Sequence, residues 1–246
     1  ANVSEPTVNR FCRSMDTRGF PDFKLHLAQS LANGTPYVNR NVNEDDSVES
    51  YTGKIFESAM ATLDHVRHSL DKSAINRAVD LLTQAKKIAF FGLGSSAAVA
   101  HDAMNKFFRF NVPVVYSDDI VLQRMSCMNC SDGDVVVLIS HTGRTKNLVE
   151  LAQLARENDA MVIALTSAGT PLAREATLAI TLDVPEDTDI YMPMVSRLAQ
   201  LTVIDVLATG FTLRRGAKFR DNLKRVKEAL KESRFDKQLL NLSDDR

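Results

Sequence analysis

The sequence predicts an α/β protein: a doubly wound parallel sheet of about five strands flanked by helices, preceded by a short all-helical segment. Three observations lead there. Between Ile88 and Leu182, short β-branched and aliphatic runs alternate with longer segments whose apolar residues recur at helical spacing. Two of those runs stop abruptly in loops of glycine and hydroxyl residues that pass directly into helix. Before Tyr51 no segment reads as a strand, while Val8, Phe11, Cys12 and Met15 fall on one face of a short helix. With 246 residues, 44% hydrophobic, 25% charged and a formal net charge of -1, the composition is that of an ordinary soluble protein. It is large enough for one full α/β core and a smaller appendage.

Residues 1–32 read as two short helices around the turn Gly19-Phe20-Pro21. Ser4 suits an N-cap and Pro6 the first helical turn. With the apolar face of this first helix turned inward, Thr7, Asn9, Arg10, Arg13 and Ser14 are left on or near the outward face. Residues 33–50 read as a linker, opening with Asn33-Gly34-Thr35-Pro36 and continuing through Glu44, Asp45, Asp46 and Glu49. Residues 51–246 carry the sheet and its flanking helices. Ile55, Ala59, Leu63, Val66 and Leu70 mark one amphipathic helix, and Ile75 to Leu82 a second. Strand and helix then alternate: Ile88 to Phe91, Ala97 to Phe108, Val112 to Tyr116, Ile120 to Met125, Val135 to Ile139, Lys146 to Glu157 and Met161 to Thr166. A short helix from Pro171, a strand at Leu178 to Leu182, and helices at Ser196 to Arg214 and Lys218 to Glu232 complete the pattern.

The two loops at strand ends are the chemistry-bearing features. One is Gly92-Leu93-Gly94-Ser95-Ser96; the other is Ser140-His141-Thr142-Gly143-Arg144-Thr145. A helix N-terminus offers unpaired N–H groups and the positive end of a dipole, so each loop is a candidate anion cradle. Position 97 is Ala, so the Gly-x-Gly-x-x-Gly dinucleotide fingerprint fails, and there is no P-loop. The competing reading is that Ser and Thr merely cap the two helices. Two such loops at neighbouring strand ends favour a phosphate site.

Cys127 and Cys130 form a Cys-x-x-Cys that follows, rather than opens, a helix, and further ligands at zinc spacing are lacking. Reduced structural cysteines, no metal and no cofactor are expected. No apolar run reaches membrane-spanning length and no secretory signal opens the chain, so a cytoplasmic protein is expected. The first residue is Ala, so a processed chain or a fragment is expected.

Gly94-Ser95-Ser96 together with Ser140 to Thr145 resembles the SIS (sugar isomerase) domain over roughly Ile75 to Leu213. That resemblance implies a five-stranded parallel sheet, a dimer and a bound phosphosugar. The phosphate ligands it implies are Ser96, Ser140, Thr142 and Thr145, with His141 helping through its backbone and Ser95 a lesser candidate. Arg144 and Arg197, with Lys146, could recognise a sugar-acid carboxylate; the plainer reading is surface charge. Val3 to Arg13 resembles the recognition helix of RpiR-type transcription regulators, and Gly19 to Lys24 the segment that follows it. Ser4, Thr7, Asn9, Arg10 and Arg13 are then the DNA-contacting candidates. The family's preceding helices are missing, so a truncated helix-turn-helix remnant is expected. Over residues 1–40 the net charge is a mild +2, which by itself does not argue for DNA.

SIS domains serve isomerases as well as regulators. Aldose–ketose isomerisation needs a placed base. Position 144 is Arg where enzymes with the related loop often have Glu. Glu186, Asp187 and Asp189 could face the pocket or be solvated loop acids, and His101 and His141 have surface readings too. The pattern therefore favours a sensor over an enzyme. The resemblance implies a regulator, mainly a repressor, of central carbon and hexose catabolism genes, with 2-keto-3-deoxy-6-phosphogluconate as effector. The alternatives are a phosphosugar isomerase using the same pocket and an oligomeric adaptor.

Overall fold

The computed structural model describes residues 5–15, 17–24, 41–190 and 192–231. Two compact units are present, one drawn from Ala1–Thr62 with Pro185–Met194, the other from Leu63–Val184 with Val195–Arg246.

In the first unit, α1 spans Glu5–Ser14 and residues 20–24 form a further helical turn. Asn9 joins them, its Oδ1 accepting from the Phe20 N–H at 3.3 Å, while the Phe11 and Phe23 rings meet edge to face at 5.7 Å. The expected inward stripe is only partly inward. Cys12 is fully buried, but Phe11 and Met15 are 54% and 56% exposed. Helical period specifies a shared face, not whether a neighbour covers it. Ser4 and residues 33–40 lie outside the described residues. The helix expected from Tyr51 starts earlier: α2 spans Val48–Ser69, of which the residues up to Thr62 belong to this unit. Its start is built rather than loose. The Asp46 carboxylate accepts from Asn43 N (2.8 Å), Ser50 Oγ (2.9 Å) and Lys54 Nζ (2.6 Å), binding residues 43–46 to the helix. These bonds hold Asp46 down at about 2, the Lys54 ammonium contributing most and the Asn43 amide next.

The second unit contains α3 (Lys72–Gln84), β1 (Lys87–Gly92), α4 (Ser95–Phe107), a 3-10 turn (Phe108–Phe110), β2 (Val114–Tyr116), α5 (Ile120–Met128) and β3 (Asp134–Ile139). α6 (Lys146–Glu157), β4 (Met161–Thr166), α7 (Pro171–Glu175), β5 (Leu178–Thr181) and α8 (Val195–Lys231) follow. All strand pairs are parallel, in the order β2-β1-β3-β4-β5. The sheet is the five-stranded, doubly wound one expected. Residues on alternate sides of each strand feed two cores. Ile88, Phe90, Val135, Val137, Ile139 and Ile163 pack with α3, α4 and α8; Ala89, Phe91, Val136, Leu138 and Val162 pack with α5, α6 and α7. β3 is buried throughout, as its unbroken apolar run requires.

Some boundaries differ from expectation, each for a local reason. β2 starts at Val114 rather than Val112 because Pro113 has no N–H to give the ladder; its carbonyl accepts from Ile88 N instead. α4 begins at Ser95, two residues earlier, behind Gly94 at φ 58°. α5 runs on to Met128, so Cys127 belongs to its last turn instead of following it. In α8 the chain leaves helical geometry at Gly216 (φ 76°, ψ -164°), the break expected between two helices.

Candidate functional site

The strand order steps outward in opposite directions from β1 and β3, so the crevice beyond their carboxyl ends is where such a sheet binds ligands. Gly92, the last residue of β1, pairs in register with Ile139, the last of β3. Neighbouring parallel strands lie about 4.8 Å apart. The two hydroxyl loops therefore leave the sheet side by side, and each opens a helix.

At the first loop, a Cβ on Gly92 would lie 2.6 Å from the Ser96 carbonyl oxygen, so only glycine lets α4 approach the strand this closely. Ser96 is buried and Ser95 half-buried. At the second, the buried Ser140 hydroxyl accepts from Gly143 N at 3.1 Å, which leaves its own proton to donate. Thr142 Oγ1 accepts from Arg144 N at 3.4 Å. His141, Thr142 and Thr145 are half-buried, whereas Arg144, Lys146 and Arg197 are exposed.

The capping alternative can now be judged. α3, α5 and α7 are each capped by a side chain, Asp71, Asp119 and Thr170 respectively. Gly94 precedes α4 and Thr145 precedes α6, and neither helix has a side-chain cap bond. No hydroxyl at these two helix starts acts as a cap; Ser96 N, Ala97 N and Leu148 N donate to the backbone carbonyls of Leu93, Gly94 and Thr145. No Asp or Glu lies within residues 92–96 or 140–146, so nothing in these loops opposes an anion. The arrangement provides neutral hydroxyl donors and two helix dipoles at one crevice, which is the equipment for holding a phosphate monoester.

Residues that the sequence reading did not single out complete the frame. Ser167, following β4, donates from N (3.1 Å) and Oγ (2.8 Å) to the His141 carbonyl, and Leu172 N donates to the Gly143 carbonyl at 3.1 Å. Gln123 on α5 is fully buried, its Nε2 donating to the carbonyls of Ser117 (2.7 Å) and Gly92 (3.3 Å). Ser167 carried the same signal as the loops, a hydroxyl just beyond a strand. For Gln123 the signal was a polar residue between Ile120 and Cys127 on the apolar side of a helix.

Other candidates resolve differently. Glu186 accepts from Met194 N at 2.8 Å and Asp187 from Asp189 N at 3.0 Å, so both carboxylates stitch their own loop. His101 stacks on Tyr116 at 4.9 Å between ring centres. Burial, and secondarily Cys130, pushes the Cys127 thiol up to about 12, and burial raises Cys130 too, so neither is a ready thiolate. Among the described residues no group of three or more His, Cys, Asp or Glu is placed to hold a metal ion. A groove of about 510 Å³ between α3 and α8 shares no residue with either loop. No helix of the described residues is long and apolar enough to cross a membrane.

Comparison with known proteins agrees with the fold. Residues 81–210 match the SIS domain and residues 1–34 the rpiR-family helix-turn-helix domain. The chain is 57% identical over 235 residues to the HTH-type transcriptional regulator HexR of Pseudomonas aeruginosa, covering 96% of this chain and 82% of that protein. It is 38% identical to the Bifunctional protein glk of Paraburkholderia xenovorans over 93% of this chain, but spans only 36% of that longer protein. Among solved structures, the Vibrio vulnificus NanR protein complexed with ManNAc-6P shares the fold at a TM-score of 0.68 and 24% identity, over 95% of this chain and 83% of that one. The sugar isomerase domain of the RpiR transcription factor from Sphaerobacter thermophilus does so at 0.61 and 19%, over 72% of this chain and 98% of that one. On the identity to HexR and the two domain matches, the chain belongs to the rpiR family of helix-turn-helix transcriptional regulators that carry a SIS domain.

Proposed function

We propose that this regulator is controlled by a phosphorylated sugar acid bound at the carboxyl ends of β1 and β3, through Ser96, Ser140, Thr142 and Thr145, with His141 and Ser95 assisting. The observation that carries this reading is the pair of helix starts, α4 and α6, that lack side-chain caps and stand beside buried serines at adjacent strand ends. Arg144 and Arg197 are the groups proposed to meet the acid's carboxylate. The effector proposed is 2-keto-3-deoxy-6-phosphogluconate, and the genes are those of central carbon and hexose catabolism, acted on mainly by repression. Residues 1–32 act as part of the DNA-binding module, residues 33–50 as the connection and residues 51–246 as the effector domain. The working form is a cytoplasmic homodimer, whose two modules would meet two half-sites. On α1, Thr7, Arg10 and Arg13 are exposed, as DNA contacts must be, whereas Asn9 already serves Phe20.

Calorimetric titration with Entner–Doudoroff and pentose-pathway phosphates tests the site. Ser140→Ala and Ser96→Ala should each weaken binding by about tenfold, the worth of one hydrogen bond to a charged group. Unchanged affinity in both would reject the pocket. Steady turnover of any of these phosphates would reject a pure sensor in favour of an isomerase. An operator fragment should be shifted in a salt-dependent and effector-sensitive way.

A further inference from the structure

We propose that Gln123 is a positioning residue of the phosphate site, holding the turn from which α4 meets its anion; this rests on the functional reading above. Gln123 lies in the first turn of α5, whose start is fixed twice. The Asp119 carboxylate accepts from Leu122 N at 2.9 Å, and Ser117 Oγ accepts from Asp119 N at 3.1 Å. From that platform the fully buried Nε2 reaches two carbonyls, Ser117 beyond β2 and Gly92 at the end of β1. Both amide protons are thereby used, and two facing acceptors dictate which end of the amide points at them. One side chain thus ties the carboxyl ends of β1 and β2 together, from the sheet face opposite α4.

The turn Leu93–Ser96 hangs from Gly92, and α4 has no side-chain cap to locate its first amides. Ser96 N and Ala97 N donate to the Leu93 and Gly94 carbonyls of that turn, so fixing the Gly92 carbonyl fixes where the helix start and the Ser96 hydroxyl present themselves. The amide is retained at a cost. Its Oε1 is buried with no partner among the described residues. A residue needed only to fill space would do better as Met or Leu, with no polar atom to desolvate. The two N–H groups are what the position requires.

The test compares wild-type protein with Gln123→Met and Gln123→Asn, titrated separately with inorganic phosphate and with 2-keto-3-deoxy-6-phosphogluconate well below the unfolding temperature. Gln123→Met should weaken both ligands by the same factor, about five- to tenfold, with an unchanged far-ultraviolet spectrum. Gln123→Asn, which keeps the amide on a shorter stem, should show a smaller loss of the same kind and serves where the Met variant does not fold. Lowered melting temperature with unchanged affinities would overturn the proposal, leaving Gln123 a packing residue. Loss confined to the sugar acid would overturn it too, since that marks direct contact with the sugar. Wild-type protein that binds neither ligand would instead overturn the phosphosugar reading itself.

Discussion

Gly143 sits at φ 58° in the middle of the second loop, and a Cβ there would overlap the hydroxyl oxygens of Thr166 and Thr170. Left-handed backbone costs an L-residue about 1–2 kcal/mol, and crowding a packed site adds a similar amount. Gly143→Ala should therefore lower unfolding free energy by about 3 kcal/mol in urea titration; a change below about 1 kcal/mol would mean that the loop relaxes freely. The same loop uses Ser140 in two ways, as acceptor from Gly143 N and as a prospective donor to ligand. Ser140→Ala is accordingly expected to lose both loop rigidity and affinity, whereas Ser96→Ala should lose affinity alone. At the buried thiol the expectation is chemical inertness. With Cys127 raised to about 12 by burial and then by Cys130, native protein at about pH 8 should not be alkylated there by iodoacetamide until denaturant is added. Peptide mass spectrometry of native and unfolded samples would show it, and rapid native labelling of Cys127 would contradict the burial.

Elements differ in how their ends are held. α3, α5 and α7 close their first turns with Asp71, Asp119 and Thr170, while α4 and α6 have no side-chain cap and close theirs on the backbone carbonyls of Leu93, Gly94 and Thr145. The start of α2 is held by Asp46, whose folded value of about 2 lies below its ordinary 3.8. A depressed carboxylate contributes stability that is complete above its unfolded value and lost as pH falls through the folded one. The melting-temperature gap between wild type and Asp46→Asn should thus be constant above about pH 5 and close towards pH 2. A gap that persists at the acid end would mean that the pairing with Lys54 is not its source. How much was legible in the sequence follows the same division. α6 and β4 were readable to the residue, because apolar period and an unbroken apolar run are local signals. The two loops were readable as a pair because glycine and hydroxyl residues follow strands. Whether the loop hydroxyls cap the helices was not readable from residue type; in the structure Thr145 makes no side-chain cap bond, and Gly94 has no side chain to make one. Exposure of Phe11 and Met15, and the roles of Gln123 and Ser167, depend on which backbone groups the topology brings near, which no spacing encodes.

For the whole molecule, a phosphosugar in the crevice can control DNA only through a difference in its affinity for two states of the protein. Asp46 fastens Asn43, Ser50 and Lys54 together at the start of α2. A coupling of about 1.4 kcal/mol would change operator affinity tenfold. Because binding free energies are state functions, the operator must then change effector affinity by the same factor. Titrating 2-keto-3-deoxy-6-phosphogluconate into the protein with and without saturating operator, and operator into the protein with and without saturating effector, gives the two factors independently. Equal factors different from one are expected, and Ser140→Ala should weaken effector binding in both titrations. An effector that binds with the same affinity whether or not operator is present would leave the crevice a ligand site with no hold on DNA.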